Sequence, residues 1–125
     1  MKPNHKLMNE KTLDLVAERF RILGDPTRLR ILQTLSGGEM AVADLVAATG
    51  AAQANVSKHL QLLLRAGLVR RRKEGLRVYY DVADPQVFRL CDLVCGSLAD
   101  RLSRDLEALE PGAGGKRSRA GRRRS

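Results

Sequence analysis

Two thiols stand four residues apart in the C-terminal half of the chain, at Cys91 and Cys95. If this segment is helical, a spacing of four places both sulfurs on one face. Thiolates bind soft ions such as As(III), Cd(II) or Pb(II), and paired thiols also react with persulfides or oxidants. Unpaired cysteine is, however, often a small buried apolar residue. The pair therefore fits a thiol sensor and an apolar packing seam equally well, and no cofactor is certain.

A second group of polar side chains, between residues 53 and 59, could bind nucleic acid. Side-chain amides pair with adenine in the major groove, whereas hydroxyl, ammonium and imidazole groups contact phosphates. We therefore expect Gln53 and Asn55 to read bases. The expected phosphate contacts in this segment are Ser57, Lys58 and His59. An ordinary solvated helix face is the alternative.

Apolar periodicity predicts the helices that position these groups. Spacings of three and four predict a first helix over residues 9–23. Asp25 and Pro26 then form a helix start, because Asp caps free amides and Pro suits the first helical position. A short third helix ends at Gly50, and a fourth covers about residues 52–66. Two short helices joined by a tight turn predict a helix-turn-helix.

Beyond the fourth helix the apolar period changes from about 3.6 to 2, which predicts a β-hairpin. Its first strand, residues 68–73, is rich in arginine, and Glu74-Gly75 form the turn. Such a wing can contact phosphates or the minor groove. The expected contacts are Arg72, Lys73 and Arg77. A last helix over residues 85–109 carries both cysteines, so we expect a mainly α fold with a small β-hairpin wing.

The charge of the chain is concentrated at its end. Of the net charge of +9, residues 112–125 supply +6, since they contain six Lys or Arg and no acid. We expect a disordered N-terminus at residues 1–8, one domain at residues 9–110, and a disordered basic tail at residues 111–125. The tail either keeps the protein soluble or adds non-specific DNA affinity.

Several classes of protein are disfavoured. The chain has no glycine-rich phosphate loop, no paired catalytic carboxylates and no histidine near either cysteine. We therefore expect that the protein is not an enzyme. Two Phe, two Tyr and no Trp are few for the base stacking that RNA recognition needs. Apolar runs are too short for a membrane span, and two cysteines are too few for a disulfide framework. We therefore expect a cytoplasmic protein without a membrane or RNA partner.

Four motifs stand at characteristic places in these elements, at Leu23–Leu32, Asn55–Leu60, Ala66–Val69 and Gly75–Tyr80. Together they resemble the ArsR/SmtB family of bacterial winged-helix repressors, over nearly all of residues 13–109. The resemblance implies an obligate homodimer formed by the first and last helices, with a recognition helix in each of two successive major grooves of double-stranded operator DNA. The residues expected at the dimer interface are Leu13, Val16, Phe20, Val87, Val94, Leu98 and Leu102.

The resemblance also narrows the choice of inducer. The arsenic-sensing branch has Cys-Val-Cys where this chain has Ala41-Val42-Ala43. The zinc-sensing branch uses histidines of the last helix, which has none here, and the persulfide sensors need a cysteine in the second helix, which has none. Ala52 also replaces a commonly found capping Ser. We thus expect a repressor that a thiol-directed inducer at Cys91 and Cys95 releases from DNA; the alternative is a repressor without such sensing, whose cysteines pack in the dimer core.

Overall fold

The computed structural model describes residues 7–109. The helices are α1 (Glu10–Leu23), α2 (Pro26–Leu35), α3 (Val42–Thr49), α4 (Gln53–Arg65) and α5 (Gln86–Leu109). The strands are β1 (Met40–Ala41), β2 (Val69–Glu74) and β3 (Arg77–Val82). The mainly helical fold with a small wing is confirmed. The predicted basic tail and the first six residues of the predicted disordered N-terminus lie outside the described residues.

Side-chain caps explain where the first two helices begin. The first amides of a helix have no partner within it, and a side chain before the helix can supply one. Asn9 Oδ1 accepts from the Thr12 amide at 2.8 Å. Asp25 Oδ1 accepts from the amides of Thr27 and Arg28 at 2.8 and 3.1 Å. These backbone hydrogen bonds, the one from Arg28 foremost, hold the pKa of Asp25 below its ordinary value of 3.8.

The three strands form one antiparallel sheet in the order β1-β3-β2. The hairpin of β2 and β3 agrees with the predicted wing. Strand β1 was not predicted, because two residues are too few to show a period of 2. Met40 lies opposite Tyr80 and Ala41 opposite Tyr79, so β1 joins the start of α3 to the wing.

The core of the first unit, which ends at Pro85, lies among α2, α3, α4 and the sheet. Its fully buried side chains are Ile31, Leu32, Leu35, Leu45, Val56, Leu60, Leu63 and Leu68. Two arginines connect α1 to the rest of this unit. Arg28 Nε donates to the Ile22 carbonyl at 2.6 Å, and Arg19 donates to the Ala66 carbonyl at 3.1 Å while pairing with Asp84 at 3.5 Å.

Helix α5 begins a second unit at Gln86, so the single domain predicted over residues 9–110 stays a prediction. Its apolar stripe is open in the single chain: Val94 is 48%, Leu98 63% and Leu102 47% exposed. Val87 differs, because it is buried within the chain, and this corrects its assignment to the dimer surface. On α1, Leu13 and Phe20 are also exposed. Among residues 7–109, none of the helices combines the length and apolar character that crossing a bilayer requires.

Candidate nucleic-acid interface

The turn between α3 and α4 is held by one glycine and one threonine. Gly50 has φ 74°, the left-handed conformation that glycine adopts without a steric penalty. The Thr49 hydroxyl donates to the Leu45 carbonyl at 2.8 Å and accepts from the Ala51 amide at 3.4 Å. These bonds close the turn within three residues and so fix the direction in which α4 leaves α3.

The start of α4 presents several polar side chains. Gln53, Asn55 and Lys58 are exposed and Ser57 is half-buried, whereas Val56 among them is buried. Within the described part of the chain, the side chains of these four polar residues form no hydrogen bond or ion pair. Their donors and acceptors are therefore available to a partner, and the assignment of these residues to DNA remains a prediction.

His59 lies elsewhere, and its assignment to phosphate binding is corrected. Its side chain is 9% exposed. Its Nδ1 is 3.2 Å from Arg28 Nη1, and because arginine can only donate, Nδ1 accepts this bond. His59 therefore belongs to the contact between α2 and α4. Its position in the sequence, three residues after Val56, was compatible with the buried face, but its polar side chain suggested the exposed one.

The two faces of the wing differ in their charge pairing. Opposite residues of antiparallel strands share a face, and successive residues alternate between faces. One face carries the cross-strand pairs Arg70–Asp81, Arg72–Tyr79 and Glu74–Arg77. The other carries the pairs Val69–Val82, Arg71–Tyr80 and Lys73–Val78, and includes the buried Val69 and Tyr80.

On the first face, Arg72 is held by carboxylates. Its Nε and Nη2 each donate to Glu39 at 2.9 Å, its Nη1 donates to Glu74 at 2.7 Å, and its guanidinium lies 4.6 Å from the centroid of the Tyr79 ring. The Glu39 bond raises the pKa of Arg72 and lowers that of Glu39 from its ordinary value of 4.5. Arg72 therefore ties the wing to the segment before α3, and its expected contact with DNA stays a prediction.

The other two arginines of this face also have acidic neighbours. Arg70 pairs with Asp81 at 3.2 Å, and Arg77 lies 4.0 Å from Asp44. On the second face, Arg71 and Lys73 are exposed and form no ion pair or hydrogen bond within residues 7–109. Arg71, one of three consecutive arginines, was not among the residues that the sequence led us to expect at the DNA. The alternation of faces along β2, combined with the positions of the acids, is what distinguishes it.

The two cysteines of α5 lie near one line along the helix. At 100° per residue, Cys91 stands roughly 20° and Cys95 roughly 60° from Leu98 around the helix axis. Cys91 is half-buried and Cys95 is exposed, and both are free thiols. Within the described residues of one chain, no group of three or more His, Cys, Asp or Glu side chains could hold a metal ion. A metal site with more than two protein ligands would therefore need another source of ligands.

A tight α3-α4 turn followed by a hairpin defines a winged helix-turn-helix protein. The family model described as "Bacterial regulatory protein, arsR family" matches residues 25–71. The probable mercury resistance operon repressor of Streptomyces lividans is 38% identical over 105 residues, covering 83% of this chain and 84% of that protein. The chain belongs to the ArsR family of bacterial regulatory proteins, whose members are DNA-binding transcriptional regulators.

Two solved structures extend the comparison. The homodimeric winged helix-turn-helix DNA-binding domain of Mb0332 from Mycobacterium bovis has a TM-score of 0.67 and 36% identity, covering 82% of this chain and 95% of that one. The antimony-specific transcriptional repressor AntR has a TM-score of 0.70 and 30% identity, covering 82% and 96%. Both likenesses extend over more residues than the first unit contains.

Proposed function

We propose that the chain is a homodimeric repressor that binds operator DNA with α4 of each protomer in a major groove. The main support for this proposal comes from the polar side chains at the start of α4, which have no partner among the described residues. Gln53 and Asn55 stand exposed directly after a turn that fixes the direction of the helix. Amides at this position can bind adenine through two hydrogen bonds, and Lys58 and Ser57 can contact the flanking phosphates.

A dimer follows from the open apolar surface and from the homodimeric relative. The stripe Val94, Leu98 and Leu102 continues through Leu106, which is 44% exposed. A row of leucines in water along a long helix is unfavourable, and a second copy of the same stripe can cover it. Leu13, Val16 and Phe20 of α1 add a second apolar surface for the dimer.

We further propose that Cys91 and Cys95 form the inducer site. Cys95 is exposed and Cys91 half-buried on the stripe proposed for the dimer. Three relatives are named for mercury resistance, cadmium resistance and antimony specificity, and these are soft elements that thiolates bind. One chain offers two thiols, so a three-thiolate site would take its third from the partner. Binding there would shift the two α5 helices and thereby the spacing of the recognition helices.

The second candidate is a repressor of the same type that senses neither metal nor oxidant. The half-burial of Cys91 favours this candidate, because a small side chain near the centre of an apolar stripe can serve packing alone.

Two sets of variants test the proposal by fluorescence anisotropy with duplex DNA from upstream of the gene. Gln53→Ala or Asn55→Ala should reduce the preference for this duplex over a scrambled one by about tenfold, as expected for losing a bidentate base contact. Gln33→Ala, which removes an exposed amide from α2, is the matched control and should leave the preference unchanged. An undiminished preference in both test variants would contradict the base-reading assignment.

The inducer is tested by adding As(III), Cd(II), Hg(II) or a persulfide donor to the reduced complex. If an agent releases the DNA, and Cys91→Ser or Cys95→Ser abolishes that release, the result supports the thiol site. No release by any of these agents supports the second candidate, whereas release that persists in both variants contradicts both the thiol site and the second candidate.

A further inference from the structure

A cleft of about 380 Å³ lies between the start of α4 and the wing. Its polar lining consists of Gln53, Ser57, Gln61, Arg71, Arg77 and Tyr80. No Asp or Glu lines it, although Asp44 stands 4.0 Å from Arg77. The cleft is thus a concave surface with two cations and four neutral hydrogen-bonding side chains, at the lower end of the roughly 300–1,000 Å³ typical of small-ligand sites.

The donors of this cleft are available. Gln53, Ser57, Gln61 and Arg71 make no side-chain hydrogen bond or ion pair within the part of the chain that the structure describes. Arg70 and Arg72, the neighbours of Arg71 on β2, are by contrast paired with acids on the other face of the wing. Arg70 and Arg72 therefore lie outside the cleft lining, whereas Arg71 leaves an unpaired cation beside α4 and Arg77 lines the cleft as well.

The start of α4 adds to the positive potential. Its N-cap, Ala52, supplies no side-chain hydrogen bond, and its first turn contains no acid. The free amides and the positive end of the helix dipole consequently face no protein anion of their own segment, a setting that favours a phosphate group.

From these observations we propose that the cleft is a phosphate site that holds one backbone phosphodiester of the DNA, with Arg71 as its principal cation. This inference rests on the proposed function. If α4 occupies the major groove and the wing reaches the adjacent minor groove, the strand that separates the two grooves must pass between them. The cleft lies at that place, so Arg71 and Gln61 join the binding residues and fix the position of the protein on the duplex.

Removing the charge of Arg71 is the direct test, and Arg70→Gln is the matched control. Both variants remove one positive charge from neighbouring positions of the same strand, and both residues are exposed. Arg71→Gln should weaken binding roughly tenfold to operator and scrambled duplexes alike, and should reduce the slope of log affinity against log salt by about 0.9. Arg70→Gln should change affinity by less than about twofold, and Arg71→Lys should keep the slope.

Single methylphosphonate substitutions, which neutralise one phosphate at a time, identify the occupant. When the substituted phosphate is the one held in the cleft, at one position per half-site, the affinity of the original protein and of Arg70→Gln should fall about tenfold. The same substitution should not lower the affinity of Arg71→Gln any further. If the protein prefers its upstream duplex but Arg71→Gln behaves like Arg70→Gln, the phosphate site is refuted while the proposed function stands. If the protein shows no preference for that duplex, both are refuted.

Inorganic phosphate distinguishes the DNA backbone from a free anion. When inorganic phosphate is added to the free protein at constant ionic strength, the Nε–H resonance of Arg71 should shift steadily with phosphate concentration and should not reach a plateau. Saturable binding that displaces the duplex, together with equal sensitivity of all variants to methylphosphonates, would assign the cleft to a free anion and overturn the proposal.

Discussion

Shortening one leucine of the α5 stripe should dissociate the dimer. Leu98 is 63% exposed in the single chain. Fully burying a leucine side chain contributes about 1.5–3 kcal/mol, so burying the exposed part contributes about 1–2 kcal/mol. Two copies meet across the two-fold axis, and Leu98→Ala should therefore cost about 2–4 kcal/mol of dimer stability. At 1.4 kcal/mol per tenfold, the dissociation constant of the dimer rises about 30- to 700-fold.

Leu93→Ala is the control for this variant. Leu93 is even more exposed, at 72%, but five residues along the helix turn it roughly 140° away from Leu98. Sedimentation velocity over a dilution series, with the two variants beside the original protein, measures the shift. Equal dissociation constants for Leu98→Ala and the original protein would refute the stripe as the interface, as would an equal loss in Leu93→Ala.

Other predictions concern single contacts and the tail. Asp25→Ala removes the cap of α2 and should cost about 1 kcal/mol, seen as a fall of roughly 5 °C in the melting temperature; an unchanged melting curve would contradict it. The pKa of Glu39 in the folded protein lies below its ordinary value of 4.5. Above about pH 4.5 its ionised carboxylate therefore stabilises the wing fully. This stabilisation is lost as the pH falls through the lowered pKa, so the protection of the β2 amides relative to their intrinsic exchange rates should fall there, and Glu39→Gln should already show reduced protection at neutral pH. Deleting residues 112–125 should leave dimerisation and sequence preference intact in sedimentation and anisotropy measurements.

The sequence predicts the helices of this fold well because each start and stop has a local cause. Asp25 with Pro26 begins α2, and Gly50 ends α3, through hydrogen bonds and backbone geometry within a few residues. The hairpin is predictable for the same reason, since its alternation and its turn are local. Strand β1 is not, because two residues become a strand only when β3 lies beside them.

The interface was predicted less well than the fold, since the role of a side chain depends on distant partners. Arg72 looked like a phosphate contact among other arginines, but Glu39, 33 residues away, holds it. His59 was expected to be polar and exposed, but Arg28, 31 residues away, donates a hydrogen bond to it in a part-buried contact. Arg71 has no such partner among the described residues, and only the pairing register of the wing separates it from its neighbours.

The central claim is that a dimer of this chain recognises one DNA sequence above others. The most direct measurement is a competition experiment, in which labelled duplex from upstream of the gene is displaced by the same unlabelled duplex or by a scrambled one at physiological salt. We predict two protomers per binding site and at least about a 10³-fold preference for the upstream duplex. Equal competition by the two duplexes, or binding by one protomer at every protein concentration, would contradict it.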